Sequence, residues 1–142
     1  MDPREFLKLA SELVANVTPA TIRTGINRAY YAAHNVGVEV LTEMGCTIKK
    51  GPGGHGDVWM RLNNSGDIEI IMAGSQLGDL QTMRNKADYR MDNKEVEDQK
   101  TAKALVEQAR RIIQTLDGCR GGSKSAQVKK AILEWEQKVG KT

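Results

Sequence analysis

Aromatic side chains are scarce in this chain of 142 residues, which has one Phe, two Trp and three Tyr. Leu, Ile, Val, Met and Ala must therefore build most of any core. Cysteine is nearly absent. Cys46 and Cys119 stand far apart and read as reduced bystanders, not as a disulfide or a ligand pair. No apolar run is long enough to span a bilayer. The opening residues include Asp2 and Glu5 and no apolar signal region, so the expected location is cytoplasmic, with no membrane partner. No repeat, low-complexity tract or convincing strand stands out. Neither charge sign dominates: 21 Lys and Arg against 18 Asp and Glu leave a net charge of +3. That balance permits nucleic-acid contact without requiring it.

What is present is helical periodicity. Asp2-Pro3 is a helix start, and Phe6, Leu9, Leu13 and Val17 follow at three- and four-residue steps. Thr18-Pro19 repeats the start signal for a second helix to about Gly45. Its expected buried side carries Ile22, Ile26, Ala29, Tyr30, Ala33, Val40 and Met44, and its alanines and Gly37 admit a close neighbour. Gly51-Pro52-Gly53-Gly54-His55-Gly56 reads as a loop, because glycine and proline disfavour a helix interior. Its outer glycines have phosphate-loop spacing, but Asp57-Val58 stands where Lys-Ser/Thr is needed, which excludes that site.

Val58, Trp59 and Leu62 mark a short helix. Another runs from near Asp67 to about Tyr89 and buries Ile70, Ile71, Leu77, Leu80 and Met83, with Gly74 and Gly78 offering one face for close packing. Asp92 and Glu95 read as a capping box for a helix reaching Leu116, striped by Leu105, Ala109, Ile112, Ile113 and Leu116. A last helix, about 126–139, carries Val128, Ile132, Leu133, Trp135 and Val139. The expected fold is all-α. It is a single domain over 1–142 with its core at about 3–116, built as an antiparallel bundle of four to five helices with a glycine-rich loop insertion after the second.

Three strings carry chemistry: Arg28-Ala29-Tyr30-Tyr31-Ala32-Ala33-His34, then His55-Gly56-Asp57-Val58, then Met83-Arg84-Asn85-Lys86-Ala87-Asp88-Tyr89-Arg90. In this order and at these separations they resemble the prokaryotic HEPN family over roughly the first two-thirds of the chain. The resemblance implies a helical bundle that works as a homodimer. It also implies metal-independent cleavage of RNA, tRNA among the possible substrates, by an Arg paired with a His four to six residues later. Many members are encoded beside a minimal nucleotidyltransferase as a toxin–antitoxin or defence pair, and others bind without catalysis. No cofactor and no metal are implied.

Metal-free RNA cleavage needs a base for the 2′-OH proton and an acid for the leaving oxygen, and histidine suits either role. The fixed fork of arginine stabilises the extra charge on the phosphate. Here the chain departs from the family pattern. Counting from Arg84, the histidine falls due at about residues 89–91, which are Tyr89, Arg90 and Met91. Either a histidine from elsewhere completes the site or the protein is a binding module. The candidate catalytic residues are therefore Arg84, His55 and Tyr89, with Asn85, Asp88, Arg28 and Tyr31 as substrate-binding or supporting residues.

Each candidate also has a structural reading. His55 can lock a loop, and Arg84 can pair with Asp88 one helical turn on. His34 follows Arg28 by six residues, but about 600° of helix separates their directions, so His34 reads as a partly buried packing residue. Tyr30 and Tyr31 face about 100° apart, one toward the core and the other toward the polar cluster.

Overall fold

Thr18 and Pro19 start the helix on which the others are assembled. The computed structural model describes residues 1–140. Among them are six α-helices and one short 3-10 turn: α1 (Arg4–Val14), α2 (Pro19–Glu43), α3 (Gly53–Asn63), α4 (Ile68–Tyr89), the turn at Glu95–Glu97, α5 (Gln99–Gly118) and α6 (Gly122–Lys138). The protein is all-helical, with six helices where four to five were expected.

The α2 sequence mixes apolar and small residues on every side, as a central helix does. Ile22, Ile26, Ala29, Tyr30, Ala33, Val36, Val40 and Leu41 are all buried, and α1, α3, α4 and α5 pack around it. Thr18 caps it, accepting from the Thr21 amide. Specific contacts give the directions. Val14 meets Gly25 while Arg4 reaches Glu39, so α1 runs antiparallel to α2. Arg84 lies against Tyr30 and Asp88 against Asn27, so α4 is antiparallel as well. Gln99 reaches Val14 and Arg120 reaches Glu39, so α5 runs with α2. Gly37 is a true close-approach position: a Cβ there would lie 2.8 Å from Val58 Cγ1 on α3. Gly74 does the same for α4 against Leu62, whereas Gly78 faces open space.

Several local expectations are corrected. The glycine-rich segment is not a loop throughout. Only Gly51-Pro52 turn, and α3 already begins at Gly53, where the backbone must pass the Lys49 carbonyl too closely for any side chain on Gly54. The buried line of α1 is Ala10 and Val14, with Phe6 and Leu7 packed at its edge; Leu9 is exposed and Val17 lies beyond the helix. Asp98, rather than Asp92, caps α5, accepting from the Thr101 amide at 2.9 Å, so Asp92 and Glu95 form no box. On α6, Leu133 points outward and Glu136 points in, and Val139 lies exposed just past its end. Glu136 meets Arg61, which also donates to the Asp57 carbonyl at 3.0 Å and lies over Trp135, tying α6 to α3. Cys46 and Cys119 are buried and unpaired. Among the described residues no helix is long and apolar enough to cross a membrane.

Candidate functional site

The antiparallel contact of α2 with α4, closed at one end by the start of α3, gathers the three strings singled out in the sequence. Tyr30, Tyr31 and His34 come from α2, His55 from the first turns of α3, and Arg84, Asn85, Asp88 and Tyr89 from the last turns of α4. Tyr31, Gly51, Pro52, His55, Gln81, Arg84, Asn85 and Tyr89 line an open cleft of about 460 Å³. His55 and Arg84, 29 residues apart in sequence, thus line one cleft.

Arg84 is the electrostatic centre. It is 7% exposed, and its guanidinium lies 5.3 Å from the Tyr30 ring centroid and 5.4 Å from that of Tyr31. Asp88 accepts from one Nη at 3.3 Å, while Nε is buried with no hydrogen-bond partner. A buried donor left unpaired costs on the order of 1–3 kcal/mol. Asp88 is held in place by Asn27, which donates at 2.9 Å. Among the described residues Asp88 is thus the only anion paired with Arg84, whose guanidinium otherwise rests against the two tyrosine rings beside the cleft.

Behind the cleft lies a stack of rings. The Tyr30 hydroxyl is 2.5 Å from His55 Nδ1 and 3.5 Å from His34 Nδ1. The His34 and His55 rings are 4.7 Å apart between centroids, and Tyr30 stacks on His34 at 5.6 Å. Burial, and then the charges of His55 and Arg84, push the His34 imidazolium down to a pKa of about 4. The same two influences, burial first and Arg84 second, lower the pKa of His55. Burial drives the Tyr30 phenol far above its ordinary value. At neutral pH both rings are neutral imidazoles and Tyr30 keeps its proton.

The remaining candidates separate. Asn85 and Tyr89 sit on the cleft rim; Tyr89 is 72% exposed and its hydroxyl makes no hydrogen bond. Arg28 does not line the cleft: it donates to Asn27 at 2.7 Å and lies over Phe6 and Tyr31. It therefore supports the wall from outside, and the formal Arg28–His34 spacing brings no pair together. Tyr30 is both core and site, since its ring is 1% exposed while its hydroxyl reaches His55. Sequence reasoning missed Asn27 and Gln81. The position of Asn27, three residues before Tyr30 and four before Tyr31 on the same helix, was the available signal. Among the described residues no three His, Cys, Asp or Glu side chains converge as a metal-ligand set.

Comparison with protein-family models, with curated proteins and with solved structures finds no match to this chain.

Proposed function

We propose that this protein is an RNA-directed helical domain of the HEPN type, a metal-independent endoribonuclease in which Arg84 and His55 form the active pair. The observation that carries the reading is that Arg84, 7% exposed and paired among the described residues with no anion but Asp88, lines the same cleft as His55. A largely desolvated arginine with a single ion-pair partner favours an added anionic oxygen, and phosphate geometry matches its fork. His55, neutral at working pH, takes the proton of a ribose 2′-OH as that oxygen attacks phosphorus. Arg84 stabilises the charge that accumulates on the phosphoryl oxygens. The histidine missing after Arg84 is thus supplied from α3.

One Arg–His pair provides a base and a charge clamp, and the leaving 5′ oxygen takes its proton from water in the open cleft. A homodimer that apposes two clefts, as the resemblance implies, brings a second Arg–His pair to the same RNA. In the cell the same resemblance points to a toxin held by a nucleotidyltransferase partner, with tRNA among the RNAs to test.

The test is cleavage of RNA by purified protein in EDTA. A loss of at least about tenfold in Arg84→Ala and His55→Ala, with folding preserved, supports the reading. Absence of cleavage of total RNA or tRNA at micromolar protein rejects it in favour of a non-catalytic subunit that binds RNA, a nucleotide or a nucleotidyltransferase. That second reading draws on the exposed Tyr89 standing where the family histidine falls due.

A further inference from the structure

The buried histidine His34 has no role in the scheme above. We propose that His34 is a positioning residue: its Nδ1 accepts the Tyr30 hydroxyl proton, so the Tyr30 oxygen accepts from His55 Nδ1–H and the His55 lone pair is left on Nε2. Its catalytic consequence rests on the cleavage reading.

The Tyr30 hydroxyl has one proton to donate and two imidazole nitrogens within reach, His55 Nδ1 at 2.5 Å and His34 Nδ1 at 3.5 Å. Two proton arrangements satisfy all three groups. In one, His34 Nδ1–H donates to the Tyr30 oxygen and Tyr30 donates to His55 Nδ1. Neutral His55 then carries its proton on Nε2, where it donates a hydrogen bond and is no base. In the other, the chain runs in the opposite sense and Nε2 is free to accept a proton.

The field of Arg84 chooses between them. Arg84 lines the cleft with His55, while His34 lines the neighbouring hollow, which His55 shares and where the charges of Lys49 and Lys50 are exposed and screened by solvent, unlike the buried Arg84 guanidinium. An aligned chain of hydrogen bonds has a lone-pair end and a proton end. A guanidinium near the His55 end favours the lone pair there and the proton at the far end. The low basicity of His34 suits the role, because an imidazolium would have no acceptor nitrogen to offer. When His55 takes up the substrate proton at Nε2, its Nδ1–H already points at the Tyr30 oxygen. No rearrangement then accompanies the transfer.

Long-range nitrogen–proton NMR of the imidazole side chains at about pH 7.5, where histidines are neutral, reads the tautomer directly. The expected result is His55 protonated on Nδ1 and bare on Nε2. In His34→Leu the Tyr30 hydroxyl turns to His55 and the His55 proton moves to Nε2. RNA cleavage in EDTA then falls at least about tenfold in kcat with KM little changed. His34→Asn, whose side-chain carbonyl reaches the place of Nδ1, keeps the wild-type tautomer and most of the rate. If His34→Leu does not fold, Tyr30→Phe removes a single oxygen and the same expectation applies to it.

A wild-type His55 protonated on Nε2, or a tautomer unchanged in the folded variant, overturns the relay even if the protein cleaves RNA. The expected tautomers in a protein that cleaves nothing uphold the relay and reject the cleavage reading.

Discussion

Arg23 and Glu97, 74 residues apart, are joined by two hydrogen bonds that converge on one carboxylate oxygen, from Nε at 2.9 Å and from Nη2 at 2.6 Å. The rest of the Arg23 fork fills the turn after α4, donating to the carbonyls of Lys86, Ala87, Arg90, Met91 and Asn93. The fork thus ties the last turn of α4 to the chain that follows it, adding to the amide bonds that the Lys86 and Arg90 carbonyls already accept. Arg23→Met is expected to lower the thermal midpoint by at least about 5 °C in a calorimetric scan. Glu97→Gln is expected to do less, because the carbonyl bonds survive it.

Arg84 should behave in the opposite way. It is as buried as Arg23, yet one of its donors is empty and its single ion pair is long. Replacing it by an apolar side chain of similar length removes an uncompensated desolvation, while Asp88 keeps its bond from Asn27. Arg84→Met is expected to change folding free energy by less than about 1 kcal/mol in urea titration, while abolishing cleavage. A large loss of stability in Arg84→Met would make the arginine a structural tie and remove the main support for the phosphate role.

Much of the bundle was legible because burial follows period. The second helix, its Thr18-Pro19 start, and the buried positions Ile70, Leu77, Leu80, Ile112 and Leu116 all follow from spacing. The misses have identifiable causes. Glycine content argued for a loop at residues 53–56, but close passage of the Lys49 carbonyl makes glycine at residue 54 a packing requirement inside a helix. Asp92 and Glu95 had the spacing of a capping box, yet Asp98, an N-cap residue without a box, stands nearer the apolar run. In α6 the inward residue was the charged Glu136, because its partner Arg61 waits on another helix, and no periodicity of apolar residues reports that.

Acid should destabilise the protein through His34. In the unfolded chain this residue takes a proton near pH 6.5, but in the folded protein only near pH 4, because burial and then His55 and Arg84 oppose the charge. Between those values the unfolded chain binds the additional proton, so stability is full above about pH 6.5 and falls as the pH drops toward 4. The expected loss is roughly 2–3 kcal/mol, and His34→Asn should flatten the slope between about pH 6.5 and 5. His55 is shifted in the same direction. The rate of cleavage is therefore expected to rise with pH and level off, with its midpoint below that of a free imidazole.

Tyr89 is expected to act through its ring. It stands exposed on the rim with an unbonded hydroxyl, so its ring is what it offers to RNA. Stacking of an RNA base on such a ring is worth about 1–3 kcal/mol. Tyr89→Ala should weaken single-stranded RNA binding at least about fivefold in a fluorescence titration, and Tyr89→Phe should restore it. Equal weakening in both variants would return the hydroxyl to consideration as a proton carrier.

The site was legible by composition and only partly by geometry. Arg84, Asn85, His55, Tyr31 and Tyr89 do meet in one cleft, as their motifs suggested. Asp88 supports Arg84 from its own helix. Arg28 and His34, which flank Tyr31 on one helix, point about 120° apart: one braces Phe6, the other enters the ring stack. A spacing of six residues records distance along the axis but not which neighbour each side chain will find. His34 could be read only as packing until Tyr30 and His55 were seen around it.

Arg23, Asn27, Tyr30 and His34 follow one another along α2 at steps of three and four residues. A single rod therefore carries the clamp on the α4 exit at one end and the proton path at the other, about 16 Å away. Helices resist stretching, so the two ends keep a common datum. Damage to the clamp would move α4, and with it the Arg84 fork, relative to rings that stay fixed. A substitution at Arg23 would thus imitate a lesion of the cleft while touching nothing in it.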